Sequence, residues 1–283
     1  MNLNNNKFKP GLYCVATPIG NMGDISFRAV KILQESNLIL CEDTRVTKKI
    51  LQKFEINNKL ISNHKFNENK NLEKVIETLK DNKIVSIVSD AGTPALSDPG
   101  RILVKECVKN NIEIFPIPGA SAVSAAISIS GFSDNFYFCG FLPEKQNQIK
   151  KLFKNLSKLE SSIIFFISPN KLDKRISDIK EFFVNRDILI CREITKYHEE
   201  YIRTPVNELS KVNFSRKGEL TIVISEIKKE KLSFKELEES DKKKINKLIK
   251  KMSIKDIVMK VSQDREISKK LIYNYCLQIK NEN

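Results

Sequence analysis

Short apolar runs alternate with segments of helical periodicity through the first half of the chain. A run of about four to eight apolar residues between turn-forming residues is typical of a buried strand, whereas apolar residues three or four positions apart indicate one face of a helix. Because strands that alternate with helices are joined by crossovers, the sequence predicts a mainly parallel sheet here. Strands are predicted at residues 12–16, 38–41, 84–88 and 112–117, and helices at 26–35, 71–81, 101–109 and 120–130.

The pattern changes after residue 135, where predicted strands follow one another with fewer helices between them. These strands are predicted at residues 136–141, 162–167, 187–192 and 219–225, with a helix at 150–159. A highly charged stretch then leads to a helical segment over residues 253–280. The fold class is therefore predicted as α/β, with two α/β domains and a small C-terminal helical module. The predicted boundaries are 1–124 for the first domain, 125–227 for the second, and 228–283 for a charged linker with the basic helical module.

The composition is ordinary for a folded globular protein, with 41% hydrophobic and 30% charged residues. No apolar stretch approaches the roughly 20 residues that span a bilayer, and the first ten residues lack the apolar run of a signal peptide. We therefore expect a cytoplasmic protein without a membrane partner. The six cysteines never form Cys-x-x-Cys, and the chain has only two histidines. This pattern predicts reduced, buried thiols and no metal site.

The positive charge is concentrated near the C-terminus. The whole chain carries 49 Lys and Arg residues against 35 Asp and Glu residues, a formal net charge of +14. Residues 242–283 hold 12 of these basic residues and only 4 acidic ones. Because lysines that neutralise phosphates bind nucleic acid, this segment is interpreted as a nucleic-acid-docking module; a solvated helix pair with a lysine-biased composition is the alternative. Its candidate nucleic-acid-binding residues are Lys255, Lys260, Lys269, Lys270 and Tyr273.

Three turn-rich segments follow predicted strands, at residues 17–24, 89–94 and 118–122. Ligands of open parallel sheets bind outside the carboxyl ends of the strands, where Gly and Ala let the backbone approach a ligand closely. The segments lack the dinucleotide fingerprint and the Walker loop, and Pro18 and Pro94 remove N–H donors that a phosphate would need. They therefore favour a ligand recognised by carbonyl groups and shape, although ordinary tight turns would show the same composition.

Motifs along nearly the whole chain occur in a specific order. They are TPIGN at residues 17–21, CEDTR at 41–45, HKFNE at 64–68, VSDAGTPALSDPG at 88–100, PIPGASA at 116–122, GFLP at 140–143, CREITKYHEE at 191–200 and KGE at 217–219. This ordered set resembles the ribosomal RNA small subunit methyltransferase I family, which belongs to the tetrapyrrole-methylase class of S-adenosylmethionine-dependent enzymes.

The resemblance implies methyl transfer from S-adenosylmethionine to the ribose 2′-hydroxyl of a decoding-centre cytidine in 16S ribosomal RNA of the small ribosomal subunit. It also implies two α/β domains with the cofactor in the cleft between them, and a homodimer. By motif matching, the cofactor-binding residues are Pro18, Gly20, Asp90, Ala91, Gly92, Thr93, Pro94, Ser121, Ala122, Glu219 and Thr221.

Candidate catalytic residues follow from the chemistry of methyl transfer. The acceptor oxygen must be aligned with the methyl group, and a base, or a cation that stabilises the developing alkoxide, would help a weakly acidic hydroxyl to react. We expect Glu42 or Asp43 to orient the ribose or accept its proton, and Arg45 to contact phosphate; the alternative is an ion pair that only holds the loop. His64 and Lys196 are further candidates, with a structural histidine and a solvated lysine as the alternatives.

Some positions depart from the family pattern. Ile167, Asn170 and Lys171 stand where the family usually has an acid, a histidine and an arginine, and Phe66 stands where a second histidine is common. A lysine cannot replace the planar bidentate contact of arginine. Two other functions are compatible with the residues alone: methylation of a tetrapyrrole or another small molecule, and a non-catalytic RNA-binding factor in ribosome assembly.

Overall fold

The computed structural model describes residues 8–228, 237–264 and 267–281. The chain divides into two compact units, residues 1–227 and 228–283. Within the described ranges, none of the helices has the length and apolar character needed to cross a membrane. All six cysteines are unpaired, and four of them are buried.

The first unit begins with a five-stranded sheet in which every pairing is parallel. The strand order is β3-β2-β4-β1-β5. The strands are β1 (Gly11–Val15), β2 (Leu38–Cys41), β3 (Leu60–Ser62), β4 (Ile84–Val88) and β5 (Ile114–Ile117). The helices are α1 (Phe27–Glu35), α2 (Thr44–Lys53), α3 (Glu68–Lys80) and α4 (Arg101–Lys109).

Both faces of this sheet are covered, which explains its continuous apolar strands. Tyr13 and Val15 of β1 pack with residues of α1 and α2. Leu12, which points to the opposite face, packs with residues of α3 and α4. The carboxyl ends of the five strands consequently lie at one edge, where the turn-rich segments begin.

A second five-stranded sheet follows, with the order β6-β7-β10-β8-β9. Only β6 and β7 pair in parallel; the other three pairings are antiparallel. The strands are β6 (Phe136–Phe141), β7 (Ser162–Ile167), β8 (Asp187–Arg192), β9 (Glu200–Pro205) and β10 (Leu220–Ile224). The helices are α5 (Ala122–Ser130), α6 (Gln146–Leu156), α7 (Pro169–Asp173) and α8 (Ile176–Phe182), and 3-10 turns lie at Met22–Asp24 and Val206–Lys211.

The α/β class and the two-sheet architecture are as predicted, and several element bounds need correction. The strand predicted at 112–117 begins at Ile114, and the helix predicted at 150–159 spans Gln146–Leu156. Five elements were missing from the prediction: α2, β3, β9, α7 and α8. The domain boundary at residue 124 stays a prediction, because the compact unit includes both sheets.

The C-terminal unit is helical and contains its own apolar cluster. Its helices are α9 (Glu239–Leu248), α10 (Ile254–Asp264) and α11 (Lys269–Asn281), so the single helical segment predicted over 253–280 is two helices. Ile245, Ile257 and Ile272, one from each helix, are fully buried together. The predicted RNA-binding lysines of α10 and α11 are all exposed, as is Tyr273. The charged stretch at residues 226–251, predicted as a linker or an exposed helix, contains α9, and its residues 229–236 lie outside the described residues.

Candidate active site

Two of the three turn-rich segments are joined directly by backbone hydrogen bonds. The Thr17 N–H donates to the Gly92 carbonyl at 2.9 Å, and the Gly92 N–H donates to the Thr17 carbonyl at 3.1 Å. The Thr17 hydroxyl is buried and donates to the Ser89 carbonyl at 3.1 Å. The segments after β1 and β4 therefore form one structured edge, as expected for a ligand site at the carboxyl ends of parallel strands.

The first segment also contacts the loop that follows β8. The backbone N–H of Asn21 donates to the Thr195 hydroxyl at 3.0 Å. A Cβ added at Gly20 would lie 2.4 Å from Cγ of Lys196 and 3.0 Å from the Ile194 carbonyl oxygen. Glycine is required at position 20 because no side chain fits between the two loops. This contact brings residues of the second sheet to the edge of the first.

A cavity of about 330 Å³ lies where these loops meet. Ten of the sixteen predicted catalytic and cofactor-binding residues line it. They are Glu42, Asp90, Ala91, Gly92, Thr93, Ser121, Ala122, Lys196, Glu219 and Thr221. Six do not. Pro18 and Pro94 are buried in the lining loops, Gly20 packs against Lys196, and Asp43, Arg45 and His64 lie outside the lining.

Sequence reasoning missed much of the apolar wall of the cavity. Phe141 lies at the end of β6, and Phe166 and Ile167 at the end of β7. The remaining missed residues are Ile19, Leu96, Asp98, Val123, Ser168, Ile194 and Gly218, whereas Leu220 lies within the predicted segment at 219–221. The motif SDPG contained Asp98 and the motif GFLP contained Phe141, so both motifs carried a usable signal.

Three carboxylates line one part of the cavity and shift one another's ionisation. Burial raises the pKa of Asp98 to about 6, with the charge of Asp90 adding to the effect and a hydrogen bond with Ser89 opposing it. Burial also raises the pKa of Glu42, and the charges of Asp90 and Asp98 raise it further. Burial raises the pKa of Asp90, although its Oδ1 accepts the Asp43 N–H at 3.0 Å. Clustered pKa shifts of this kind in a cleft are typical of functional sites.

Asp43 and Arg45 form an ion pair, which was the alternative to direct roles for these residues in binding ribose and phosphate. Nη2 of Arg45 lies 2.6 Å from Oδ2 of Asp43. Oδ1 of Asp43 also accepts the Arg45 backbone N–H at 2.8 Å, which caps the start of α2. The hydrogen bonds from Arg45 lower the pKa of Asp43 to about 2. Asp43 is therefore held as a carboxylate that binds protons weakly, and Arg45 leaves 87% of its side chain exposed.

Lys196 is held in place by two carboxylates. Its Nζ lies 2.9 Å from Oε1 of Glu193 and 2.9 Å from Oε2 of Glu219. Burial alone would lower the pKa of Lys196, but the hydrogen bonds to Glu219 and Glu193 outweigh burial and raise it. Lys196 is thus a fixed cation at the cavity wall, and the alternative of a freely solvated lysine does not describe it.

His64 takes part in a tight turn before α3. Its backbone N–H donates to Oδ1 of Asn67 at 2.7 Å, and its Nδ1 accepts the Phe66 backbone N–H at 3.2 Å. In the same HKFNE motif, Glu68 is buried and accepts the N–H groups of Gly100 and Ile102 at 2.9 and 3.1 Å. These contacts give the motif a structural purpose, since Glu68 caps α4 directly after the Asp98 loop.

Backbone strain is concentrated beside the cavity. Ala95 and Ser97 have φ angles of 63° and 67°, and Glu193 and Thr195 have φ angles of 52° and 66°. Such left-handed conformations cost free energy for residues other than glycine and accumulate at ligand sites. Each strained pair flanks a residue that lines the cavity. The backbone conformations that shape the cavity therefore lower the stability of the folded protein.

Asp98→Asn is expected to stabilise the ligand-free protein at pH 8 by about 1 kcal/mol, after allowance for solvent screening, and to have no effect below about pH 4. The folded state raises the pKa of Asp98 from 3.8 to about 6. The folded protein therefore binds this proton more tightly, and stability is lost as the pH rises between these two values. Urea denaturation at both pH values measures the difference. Asp134→Asn, at an exposed position, is the control; an equal effect of Asp98→Asn at both pH values would contradict the assignment.

Comparison with known proteins identifies the family. The model of the tetrapyrrole (corrin/porphyrin) methylases matches residues 11–210. The ribosomal RNA small subunit methyltransferase I of Thermotoga maritima is 44% identical over 218 residues, which cover 76% of this chain and 97% of that protein. The one from Halalkalibacterium halodurans is 36% identical over 275 residues, which cover 94% of each chain. The chain belongs to the ribosomal RNA small subunit methyltransferase I family. The resemblance inferred from the motifs is thereby confirmed.

Solved structures share the fold of this methyltransferase I family member. Diphthine synthase superposes with a TM-score of 0.59 at 15% identity, covering 76% of this chain and 89% of that one. Uroporphyrin-III C-methyl transferase from Thermus thermophilus, complexed with S-adenyl homocysteine, superposes with a TM-score of 0.54 at 13% identity, covering 75% and 96% of the two chains. At these identities the likeness shows the fold alone.

Proposed function

We propose that this chain methylates the ribose 2′-oxygen of a decoding-centre cytidine in 16S ribosomal RNA, with S-adenosylmethionine as the methyl donor. The acceptor is the small ribosomal subunit in the cytoplasm, and the homodimer implied by the resemblance is part of the proposal. One observation carries it: motifs that are shared with the family and dispersed between residues 42 and 221 line a single cavity. Family membership supports the reaction, and the cavity supplies a place for it.

The residues of the cavity fit S-adenosylmethionine. The apolar side chains of Ile19, Leu96 and Ile194 suit an adenine ring, and four carboxylates against one lysine suit a ligand with a positively charged sulfur and amino group. Gly92 has a φ of 79°, and a Cβ there would lie 3.3 Å from Ile19. A side chain at position 92 would therefore be strained and would crowd Ile19 in the cavity wall. When bound, the cofactor supplies an electrophilic methyl group with a good leaving group.

Glu42 is the proposed base for the ribose hydroxyl. Its carboxylate lines the cavity, and its raised pKa makes it a better proton acceptor than an ordinary glutamate. Asp43, the other candidate, has a lowered pKa and is engaged by Arg45. Arg45 is exposed beside the cavity and is proposed to contact phosphate, while Lys196 positions Glu219 at the wall.

The direct test uses labelled S-adenosylmethionine and purified small subunits that lack the modification. Label in the 2′-O-methylcytidine fraction of the digested RNA is the expected result, and its absence would refute the proposal. A parallel reaction with a tetrapyrrole acceptor tests the small-molecule alternative. Calorimetry with the cofactor tests the assembly-factor alternative, because a protein that only binds RNA has no need to bind S-adenosylmethionine.

The exposed lysines of the C-terminal unit are proposed to dock the RNA. Replacing Lys255, Lys260, Lys269 and Lys270 by glutamine is expected to raise the KM for small subunits about tenfold or more at 0.15 M salt and to flatten its salt dependence. The affinity for S-adenosylmethionine should stay unchanged. The matched control replaces four exposed lysines of the first unit, Lys31, Lys74, Lys80 and Lys154. An equal effect of the control would mean that only total charge matters.

A further inference from the structure

A second cavity, of about 290 Å³, adjoins the first. The two share four wall residues, Phe141, Phe166, Ile167 and Ser168. Its other wall residues come from the segment after β6 and from α7 and the turn that follows it, namely Leu142, Pro143, Glu144, Lys171, Lys174 and Arg175. A substrate that enters the first cavity is therefore within reach of the second.

The two cavities have opposite charge. Four carboxylates and one lysine line the first cavity, whereas three cations and one carboxylate, Glu144, line the second. Nζ of Lys171 lies 3.3 Å from Oε1 of Glu144, and Nη1 of Arg175 lies 3.6 Å from Oδ2 of the buried Asp178. The side chains of Lys171 and Lys174 are exposed. The first cavity thus suits a cationic ligand and the second an anionic one.

Phe141 stands at the junction of the two cavities with 65% of its surface exposed. Its ring centroid lies 5.4 Å from that of Phe166, which in turn lies 5.0 Å from that of Phe138. The aromatic cluster holds the exposed ring in position. An exposed aromatic ring beside cations is the arrangement with which proteins bind single-stranded RNA, by stacking a base and neutralising its phosphate.

We propose that the second cavity binds the nucleotide adjacent to the methylated one, with its base on Phe141 and its phosphate at Lys171 and Lys174. This inference rests on the proposed function. The proposal also explains how position 171 can differ from the family pattern. A lysine in place of the usual arginine loses the bidentate geometry but still attracts phosphate as a point charge. Because an RNA chain is continuous, a nucleotide held there fixes the position of its neighbour's ribose in the first cavity.

The test compares Lys171→Gln/Lys174→Gln with Lys154→Gln/Lys158→Gln, two exposed lysines that line neither cavity. With small subunits as substrate, the first pair is expected to raise KM about tenfold and to reduce the salt slope of log KM by about 1.4. Its affinity for S-adenosylmethionine should stay within twofold of wild type. A KM equal to that of the control pair, with an active wild-type enzyme, would overturn the inference and leave the proposed function intact.

Phe141 provides a second, charge-independent measurement. Phe141→Leu is expected to raise the KM for small subunits about tenfold through loss of one base stack. Phe141→Tyr keeps the ring and should restore the wild-type KM. Equal KM values for both variants would overturn the stacking assignment. A wild-type protein that transfers no methyl group to small subunits would refute the proposed function itself, and with it this inference.

Discussion

Glu42→Gln is expected to lower kcat for methyl transfer to small subunits about 100-fold or more, because glutamine keeps the shape of the side chain and cannot accept a proton. The affinity for S-adenosylmethionine should change little. In the wild type, the rate should rise with pH as Glu42 ionises. Because burial and the charges of Asp90 and Asp98 raise the pKa of Glu42, the midpoint should lie above the ordinary glutamate value of 4.5. Steady-state kinetics over a pH series measures both effects.

Asp43→Asn is the matched comparison for Glu42. Asp43 forms an ion pair with Arg45 and caps the start of α2. Its replacement should therefore lower the thermal stability and change kcat little. The acidic limb of the pH profile should persist in Asp43→Asn and disappear in Glu42→Gln. A limb that survives in Glu42→Gln and disappears in Asp43→Asn would transfer the assignment to Asp43.

Asp90→Ala is expected to weaken S-adenosylmethionine binding about 10- to 100-fold, the range for loss of one hydrogen bond to a charged group. Asp90 lines the cavity, and its carboxylate also accepts the backbone N–H of Asp43. Alanine removes both the charge and the acceptor. Isothermal titration calorimetry with the cofactor measures the loss directly.

Two further variants separate the contributions of Asp90. Asp90→Asn keeps an acceptor for the Asp43 N–H and removes only the charge, so an affinity between those of wild type and Asp90→Ala is expected. Asp134→Ala removes an exposed carboxylate outside the cavity and should bind the cofactor as the wild type does. Full affinity in Asp90→Ala would exclude a contact between Asp90 and the cofactor.

The strands buried on both faces could be predicted from sequence because their apolar runs are continuous. The predicted bounds of β2 and β4 agree with the structure, as do those of α4. Edge strand β9 was missed because its residues alternate between half-buried and exposed and include polar side chains. Helix α2 was missed because its capping residue, Asp43, lies inside a motif that was interpreted only as chemistry.

The site could be predicted where its residues lie in motif loops, as Asp90 and Gly92 do. It could not be predicted where its wall depends on how the two sheets meet. Phe166 is an ordinary strand residue in sequence, and only the placement of the second sheet brings it to the cavity. Asp98 lies in the motif at residues 88–100, which carried a signal, but the left-handed conformations of Ala95 and Ser97 in the same loop are not visible in the sequence pattern.

The loop after β1 contacts the loop after β8 at two places, Gly20 with Lys196 and Asn21 with Thr195. These contacts join the two sheets directly beside the cavity. A ligand in this cavity touches residues from both sides of that joint. Ligand present at 100 times its Kd adds about 2.7 kcal/mol to the free energy of unfolding. This free energy opposes any motion that separates the two sheets, because such a motion would break the contacts of the ligand. Bound cofactor would therefore disfavour separation of the two sheets. The cavity would be most rigid when both the cofactor and the RNA strand are to be held there.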